Sequence, residues 1–359
     1  MKSLEIFFRR LLLSLFLLFR KREQRYDSPT ITGSSKVLFI RLNRIGDALV
    51  STPLLKLIKE QIGCEVYILA SKNNHFVFES PDLIDKIIVF NKNLRSIPSL
   101  IKLINSYNFD VIVDLHDDVS STVSYIMAFT KSKYKFGLQK SNDKLFTHIV
   151  NKLDPSKYHV IERVMEFGKL FQLKADSQSV NIFYVPKQES VLLADSFIEN
   201  HFNPKMFLLG INISAGSDAR FWGVYNYRSL IDMLIPYKFN ILLMCAETDL
   251  QQAFAISENK IPIYYRPNFD EFCAVIPKLD LLFTPDTSIV HVASAFKTPV
   301  FGLYVKYNTK DKIWSPYKSQ FDYVVTEEPT LHNITVESVK KKFIPFLEKF
   351  YYEYTNKNL

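Results

Sequence analysis

At 359 residues the chain is too long for one compact core and fits two domains of ordinary size, while 47% hydrophobic and 14% aromatic content excludes a disordered protein. The net charge of +8 would suit a nucleic-acid binder. However, seven basic residues against two acidic ones fall within residues 1–25, and no basic stripe interleaved with aromatics and no nucleic-acid motif follows.

The first predicted element lies in that basic segment. Residues 11–19 form a near-apolar run too short to span a bilayer core of ~30 Å. Arg20, Lys21 and Arg22 follow at once, where a signal peptide needs small residues for cleavage. The pattern predicts a helix over residues 1–30 lying in a membrane interface. Phe7, Phe8, Leu11, Leu12, Leu15 and Leu18 would enter the acyl boundary and the arginines would meet anionic head groups. The competing reading is a helix packed on the body of the protein.

Residues 37–40 (VLFI) read as a strand buried on both faces, and Leu54, Leu55, Leu57 and Ile58 recur at helical spacing. Between them lie Arg41, Asn43, Arg44, Gly46 and Asp47. The chain has only nine glycines, so one at a strand-to-helix turn is expected to meet a backbone need, either positive φ or close approach of another group. A carboxylate such as Asp47 at the end of a buried strand can act as a general base, or it can simply cap the following helix.

Residues 65–70, 87–90 and 111–115 read as further short apolar strands, an alternation with helices that predicts βαβ units. Residues 176–188 approach a domain boundary. The pattern then restarts, with a strand at 207–213, a loop SAGSDARFWG, a helix at 225–234 and a strand at 241–244. Strands at 281–284 and 300–304 flank PDTSIVHVASAF, and a helical tail over 336–354 carries Pro345 as an expected kink. The predicted organisation is a membrane-surface helix (1–30), a first Rossmann-like domain (34–180), a second (181–330) and a C-terminal helix (331–359). Cys64, Cys245 and Cys273 are scattered, suit buried thiols in a reducing compartment, and have no metal-ligand spacing.

Two loops in the second half match the first in position, after a strand, where α/β folds place ligands. In Ser214, Ala215, Gly216, Ser217, Asp218, Ala219 and Arg220, small residues leave N–H groups free for phosphate oxygens and Arg220 adds a charge; an ordinary polar loop is the alternative. Asp286, Thr287 and Ser288 would place a carboxylate, hydroxyls and N–H donors at a helix N-terminus, with His291 on the same helix face. A capped helix with a satisfied histidine is the alternative.

Taken in order, RLNRIGDALVSTPLLKLIKE, NISAGSDARFWGVYNYRSLIDML and FTPDTSIVHVASAFKTPVFGLY resemble the lipopolysaccharide heptosyltransferases, glycosyltransferase family 9, with the likeness running along residues 36 to 325. The resemblance implies an α/β protein of the GT-B fold, two Rossmann-like domains with parallel sheets facing a central cleft, preceded here by the basic amphipathic helix. It implies an inverting glycosyltransferase that moves heptose from ADP-heptose to a lipid-linked saccharide such as the lipopolysaccharide inner core. Asp47 matches the family's catalytic carboxylate; Ser214, Gly216, Arg220, Asp286, Thr287, Ser288 and His291 match its donor elements, with Glu247 on the nucleotide side. Arg41, Asn43, Arg44, Gly46 and His116 fall on the acceptor side. No cofactor and no obligatory metal is expected. The implied location is the cytoplasmic face of the inner membrane, with the protein peripheral there through residues 1–25.

Three departures stand out. Ser288 replaces the usual glycine after Asp-Thr, VKYNTKD follows GLY, and DLHDD at residues 114–118 replaces the more usual Asp-Leu-Gln-Gly. They leave open another nucleotide-activated sugar, a different acceptor met by His116, Asp117 and Asp118, a nucleotide-sugar 2-epimerase, or a nucleotide-sugar-binding scaffold that has lost catalysis.

Overall fold

The computed structural model describes residues 2–27, 29–91, 93–174 and 179–357, with side chains throughout except those of 2–7, 9, 10, 94 and 357. Phe7, the arginines at 9 and 10, and Asp176 at the expected boundary therefore lie outside the described side chains. Two compact units divide the chain, residues 1–183 and 184–359.

In the first unit the elements run α1 (Lys2–Phe19), β1 (Lys36–Arg41), α2 (Ile45–Leu49), α3 (Thr52–Gln61), β2 (Glu65–Ser71), β3 (Lys86–Phe90), α4 (Ile97–Ser106), β4 (Val111–Asp114), α5 (Ser121–Phe129), β5 (Tyr134–Leu138), β6 (His148–Val150) and α6 (Val160–Met165). The strands are all parallel, in the order β3-β2-β1-β4-β5-β6. Parallel strands covered by helices on both faces must be apolar along their whole length, and in β1 Val37, Leu38, Phe39 and Ile40 are fully buried.

The second unit continues with α7 (Gln188–His201), β7 (Leu208–Asn212), α8 (Val224–Leu234), β8 (Asn240–Cys245), α9 (Leu250–Ser257), β9 (Ile263–Tyr265), α10 (Phe269–Cys273), β10 (Leu281–Pro285), α11 (Ser288–Phe296), β11 (Val300–Val305), β12 (Phe321–Thr326) and α12 (Val336–Lys357). Its sheet, β12-β11-β10-β7-β8-β9, repeats the first one's order strand for strand. Both are doubly wound Rossmann sheets whose order reverses beside the first strand, between β1 and β4 and between β7 and β10. Ligands bind outside the carboxyl ends of the strands at that reversal, so the fold alone marks two loop pairs. The core of the second unit is strongly aromatic: Trp222, Tyr227 and Phe283 are buried together, and the Trp222 indole donates to the Ile334 carbonyl at 2.7 Å.

The boundary is anchored on each side separately. The Phe183 N–H donates to Thr52 Oγ1 at 2.9 Å in the first unit. In the second, Asp270 accepts from the Tyr184 hydroxyl at 2.5 Å, the Ser190 hydroxyl at 2.6 Å and the Lys187 N–H at 3.0 Å.

Several expectations need adjustment. β5, β6, β9 and β12 carry no clear apolar run and were not foreseen; β6, β9 and β12 lie at sheet edges, where burial on both faces relaxes, and β5 carries the buried Lys135, paired with Glu23 at 2.9 Å. The tail helix α12 continues through Pro345. Gly46 does not have positive φ: it lies inside α2, and the turn is made by residues 42–44. One face of the N-terminal helix packs on the body of the protein, as the competing reading expected. Leu13 and Leu17 are buried, Phe16 packs its ring 5.4 Å from Tyr125 and 5.8 Å from Phe129, and Arg20 donates to the Ala128 carbonyl at 2.6 Å. The opposite face, with Phe8, Leu11, Leu12, Leu15 and Leu18, stays exposed and ends on Phe19, which is 88% exposed. Among the described residues no helix is long and apolar enough to cross a membrane.

Candidate active site

In the first unit, β1 delivers Arg41 to the carboxyl end of the sheet and the chain turns directly into α2. The Arg41 guanidinium is buried. Its Nε donates to the main-chain carbonyl of Asp47 at 2.9 Å, its Nη1 donates to the Leu115 carbonyl, and its Nη2 lies 3.5 Å from the Asp47 carboxylate. Burial pulls the Arg41 pKa down, opposed by Asp47, Asp117 and Asp114. An arginine still keeps its proton, and a buried charge of this kind demands such partners. Asp47 also accepts from the Arg44 N–H at 3.3 Å, so one carboxylate both caps α2 and balances Arg41. It stays partly open to solvent, 17% exposed, while Arg41 is closed off. Asp47 is thus a helix cap, and its carboxylate is also accessible at the strand end.

Asn74 was not singled out in the sequence, yet it holds this loop. Its Nδ2 donates to the carbonyls of Arg41 at 3.0 Å and Asn43 at 3.2 Å, and its Oδ1 accepts from the Ser71 N–H at 2.8 Å and hydroxyl at 2.9 Å. Each buried group left bare would cost about 1–3 kcal/mol, so Asn74 stabilises the path of residues 41–43. The available signal was a second polar cluster, SKNNH, at the end of the neighbouring strand. His116 is also buried rather than open to solvent, and both ring nitrogens are engaged. Asp117 pairs with the buried Arg163, and Asp118 lies almost fully in solvent.

In the second unit the corresponding reversal point is built from β7 and β10. Asn212, buried at the end of β7, accepts from the Ser214 N–H at 3.1 Å and donates to the Ser214 carbonyl at 3.0 Å and Thr284 Oγ1 at 2.9 Å. An asparagine ending the apolar run LLGIN was the overlooked signal. Ser214 Oγ accepts from the Ala246 N–H at 2.8 Å, which joins the first loop to the end of β8. Gly216 takes φ of +67°, and nothing lies within 4 Å of where a Cβ would sit. The glycine therefore answers a left-handed turn, and the space above it is open.

Arg220 reaches across to the other loop, donating to the Asp286 carbonyl at 3.1 Å with its second nitrogen 3.3 Å from the Asp286 carboxylate. Thr287 caps α11, its hydroxyl accepting from the Ile289 N–H at 3.4 Å, and Ser288 opens the helix. His291 is buried one turn further on, its ring 5.8 Å from that of Trp314. Glu247 is exposed after β8; burial and this nearby carboxylate push the Tyr265 phenol at the end of β9 up. Ser214, Arg220, Asp286 and Thr287 are thus brought together, Glu247 stands beside Ser214 through Ala246, and His291 lies behind the cap. Among the described residues no group of three or more His, Cys, Asp or Glu side chains could hold a metal ion.

The arrangement offers a carboxylate at the head of one sheet and a cation with capped helix N–H groups at the head of the other, the equipment for a proton acceptor and for an anionic leaving group. Comparison with known proteins identifies the family. A family model for glycosyltransferase family 9 (heptosyltransferase) matches residues 97–344, more than half of the chain. The lipopolysaccharide core heptosyltransferase OpsX of Haemophilus influenzae is 22% identical over 311 residues, 81% of this chain and 87% of that protein. In fold, a family 9 glycosyl transferase from Veillonella parvula matches with a TM-score of 0.77 at 17% identity, covering 90% of this chain and 100% of that one. The E. coli heptosyltransferase WaaC with ADP matches at 0.69 and 16%, covering 88% and 99%. The two sheets are therefore those of the GT-B-like heptosyltransferases, and the chain belongs to glycosyltransferase family 9 (heptosyltransferase) and is a glycosyltransferase.

Proposed function

We propose that this enzyme transfers heptose from ADP-heptose, with inversion, to a lipid-linked saccharide acceptor such as the lipopolysaccharide inner core, at the cytoplasmic face of the inner membrane. One observation carries the reading. Asp47 and the Arg220–Asp286 pair occupy equivalent places in two sheets of identical order, each at the strand reversal where such folds bind ligands.

In the reaction the acceptor oxygen attacks the anomeric carbon from the side opposite the leaving group and gives its proton to Asp47, while the bond from anomeric carbon to phosphate oxygen breaks. Asn43, Arg44 and Gly46, next to Asp47 in the chain, would meet the acceptor, while the buried Arg41 balances the Asp47 charge from within. The nucleoside diphosphate leaves with an added negative charge. Arg220, the N–H groups at the start of α11 and those around Gly216 stabilise it, so the reading assigns this task to protein groups and needs no divalent ion. Glu247 and Tyr265 suit the nucleoside's hydroxyls, and His291 supports the α11 turn from behind. The E. coli WaaC structures hold ADP and ADP-2-deoxy-2-fluoro heptose, which favours the same donor here. A thermal-shift panel of ADP-heptose, ADP-, UDP- and GDP-hexoses and free nucleotides, with EDTA present, tests this. Selective stabilisation by ADP-heptose is expected, and preference for another nucleotide would overturn the donor.

The exposed face of α1 supports the membrane part of the reading. A lipid-borne acceptor is confined to a surface, and Leu12, Leu15 and Leu18, part of whose surface is already covered, would each add about 1–2 kcal/mol on leaving water. Lys21 and Arg25, exposed in the segment that follows this helix, favour anionic lipid. Replacing the three leucines with Glu should abolish co-sedimentation with vesicles of phosphatidylcholine and phosphatidylglycerol. Because these side chains lie on the exposed face of α1, the melting temperature should change little. Vesicle binding that survives the triple substitution would sink the proposal.

A further inference from the structure

His116 was expected to meet the acceptor, but its surroundings give it another task. It follows β4 by two residues, and the strand register sets Asp114 beside Ile40, one residue before Arg41. The His116 Nδ1 lies 2.8 Å from Asp114 Oδ1, and its Nε2 lies 3.1 Å from the Leu42 main-chain nitrogen. Leu42 can only donate. Nε2 must therefore carry the lone pair, and the ring proton sits on Nδ1, where it is given to Asp114. The other Asp114 oxygen accepts from Lys140 Nζ at 2.8 Å, and the same ammonium donates to the His116 carbonyl at 2.7 Å.

The charges are consistent with that tautomer. Burial lowers the His116 pKa against the pull of Asp114, with Arg41 and Lys140 adding to the lowering, so the ring stays neutral. Burial would raise Asp114, but Lys140 and His116 outweigh it and hold the carboxyl well below its usual range. A fixed chain therefore runs from ammonium to carboxylate to neutral imidazole to a backbone N–H. That N–H belongs to the first residue beyond β1, where the sheet no longer supplies a partner.

Asn74 grips the carbonyls on either side of the same residue, those of Arg41 and Asn43. Leu42 is thus clamped from two neighbouring strands, and Asp47 follows after a single helical start. We infer that His116, held by Asp114 and Lys140, is a positioning residue that fixes Leu42 and through it the placement of Asp47. This rests on Asp47 being the base of the proposed reaction.

The test compares His116→Phe, which keeps the ring volume and removes both nitrogens, with His116→Gln, whose amide again offers one acceptor for Leu42 and one donor for Asp114. Hydrogen exchange of the full chain, read on peptides covering residues 42–48 against those of β2, should show the loop opening in the Phe variant alone. With ADP-heptose and an inner-core acceptor, the Phe variant should lose about 10²-fold in kcat with donor KM within about twofold, and Gln should restore kcat to within a few-fold, since a displacement of ~1 Å is enough for such a loss. Parental loop exchange in His116→Phe, or a Gln variant no better than Phe, overturns the assignment. Full turnover in Asp47→Asn would sink the reading of the base, while the exchange result, which needs no substrate, still judges His116.

Discussion

Asp47→Asn should lower kcat by about 10³-fold while leaving donor binding intact, the range expected when a general base is removed and positioning is retained. The substitution separates the chemical role of Asp47 from its structural one. The Asn side-chain oxygen can still accept from the Arg44 N–H, so the cap on α2 survives. Arg41 loses a negative neighbour, but its bonds to the Asp47 and Leu115 carbonyls involve main-chain oxygens that the substitution does not touch, and Asp114 and Asp117 remain nearby. The stability cost should therefore be about 1–2 kcal/mol, below the cost of stripping a buried charge of every partner. Steady-state kinetics with both substrates varied, together with a nucleotide thermal shift, provide the check. An Asn variant within about tenfold of the parent would show that another group takes the proton. A variant that fails to bind donor would instead point to collapse of the fold, which Asp47→Glu, keeping the charge, would distinguish.

What the sequence could reveal follows from how far apart the interacting residues lie. β1 was legible because burial on both faces forces a continuous apolar run, and β7 and β10 for the same reason. β12 was not, since as an edge strand none of its residues is fully buried. Lys135 in β5 spoils the apolar pattern, and what permits it is Glu23, 112 residues away. The proposed site divides in the same way. Asp47, Gly216, Arg220, Asp286 and Thr287, the residues proposed to act, stand in short loops whose chemistry is local, so spacing suffices to single them out. His116 misled because a polar DLHDD after a strand looks like an open ligand site. Its partners, Leu42 and Lys140, are 74 and 24 residues distant, and only pairing of β4 with β1 on one side and with β5 on the other brings them in. Asn74 and Asn212 were missed for a related reason: an asparagine that satisfies buried backbone groups cannot be told from a turn residue until those groups are in place.

Arg220→Gln should reduce kcat/KM for the donor by about 10²-fold or more, with the larger share in kcat. Positive charge at this point is worth most when the phosphate is leaving, because that is when negative charge accumulates, and an interaction stronger in the transition state than in the bound donor appears in kcat. The fold gives little reason for any other loss. Arg220 is about one-third exposed, and its ion pair with Asp286 is of the surface kind, worth about 0–1 kcal/mol. The bond it loses to the Asp286 carbonyl adds about 1 kcal/mol at most. A Gln variant should thus melt within a few degrees of the parent. Arg220→Lys separates charge from shape: an ammonium keeps the attraction but lacks the two-pronged geometry that can hold Asp286 and a phosphate together, so it should recover only part of the rate. Activity of Arg220→Gln within about threefold of the parent would mean that the Arg220–Asp286 contact is structural. The N–H groups of α11 and of the Gly216 turn would then have to stabilise the departing diphosphate without a side-chain cation from this loop.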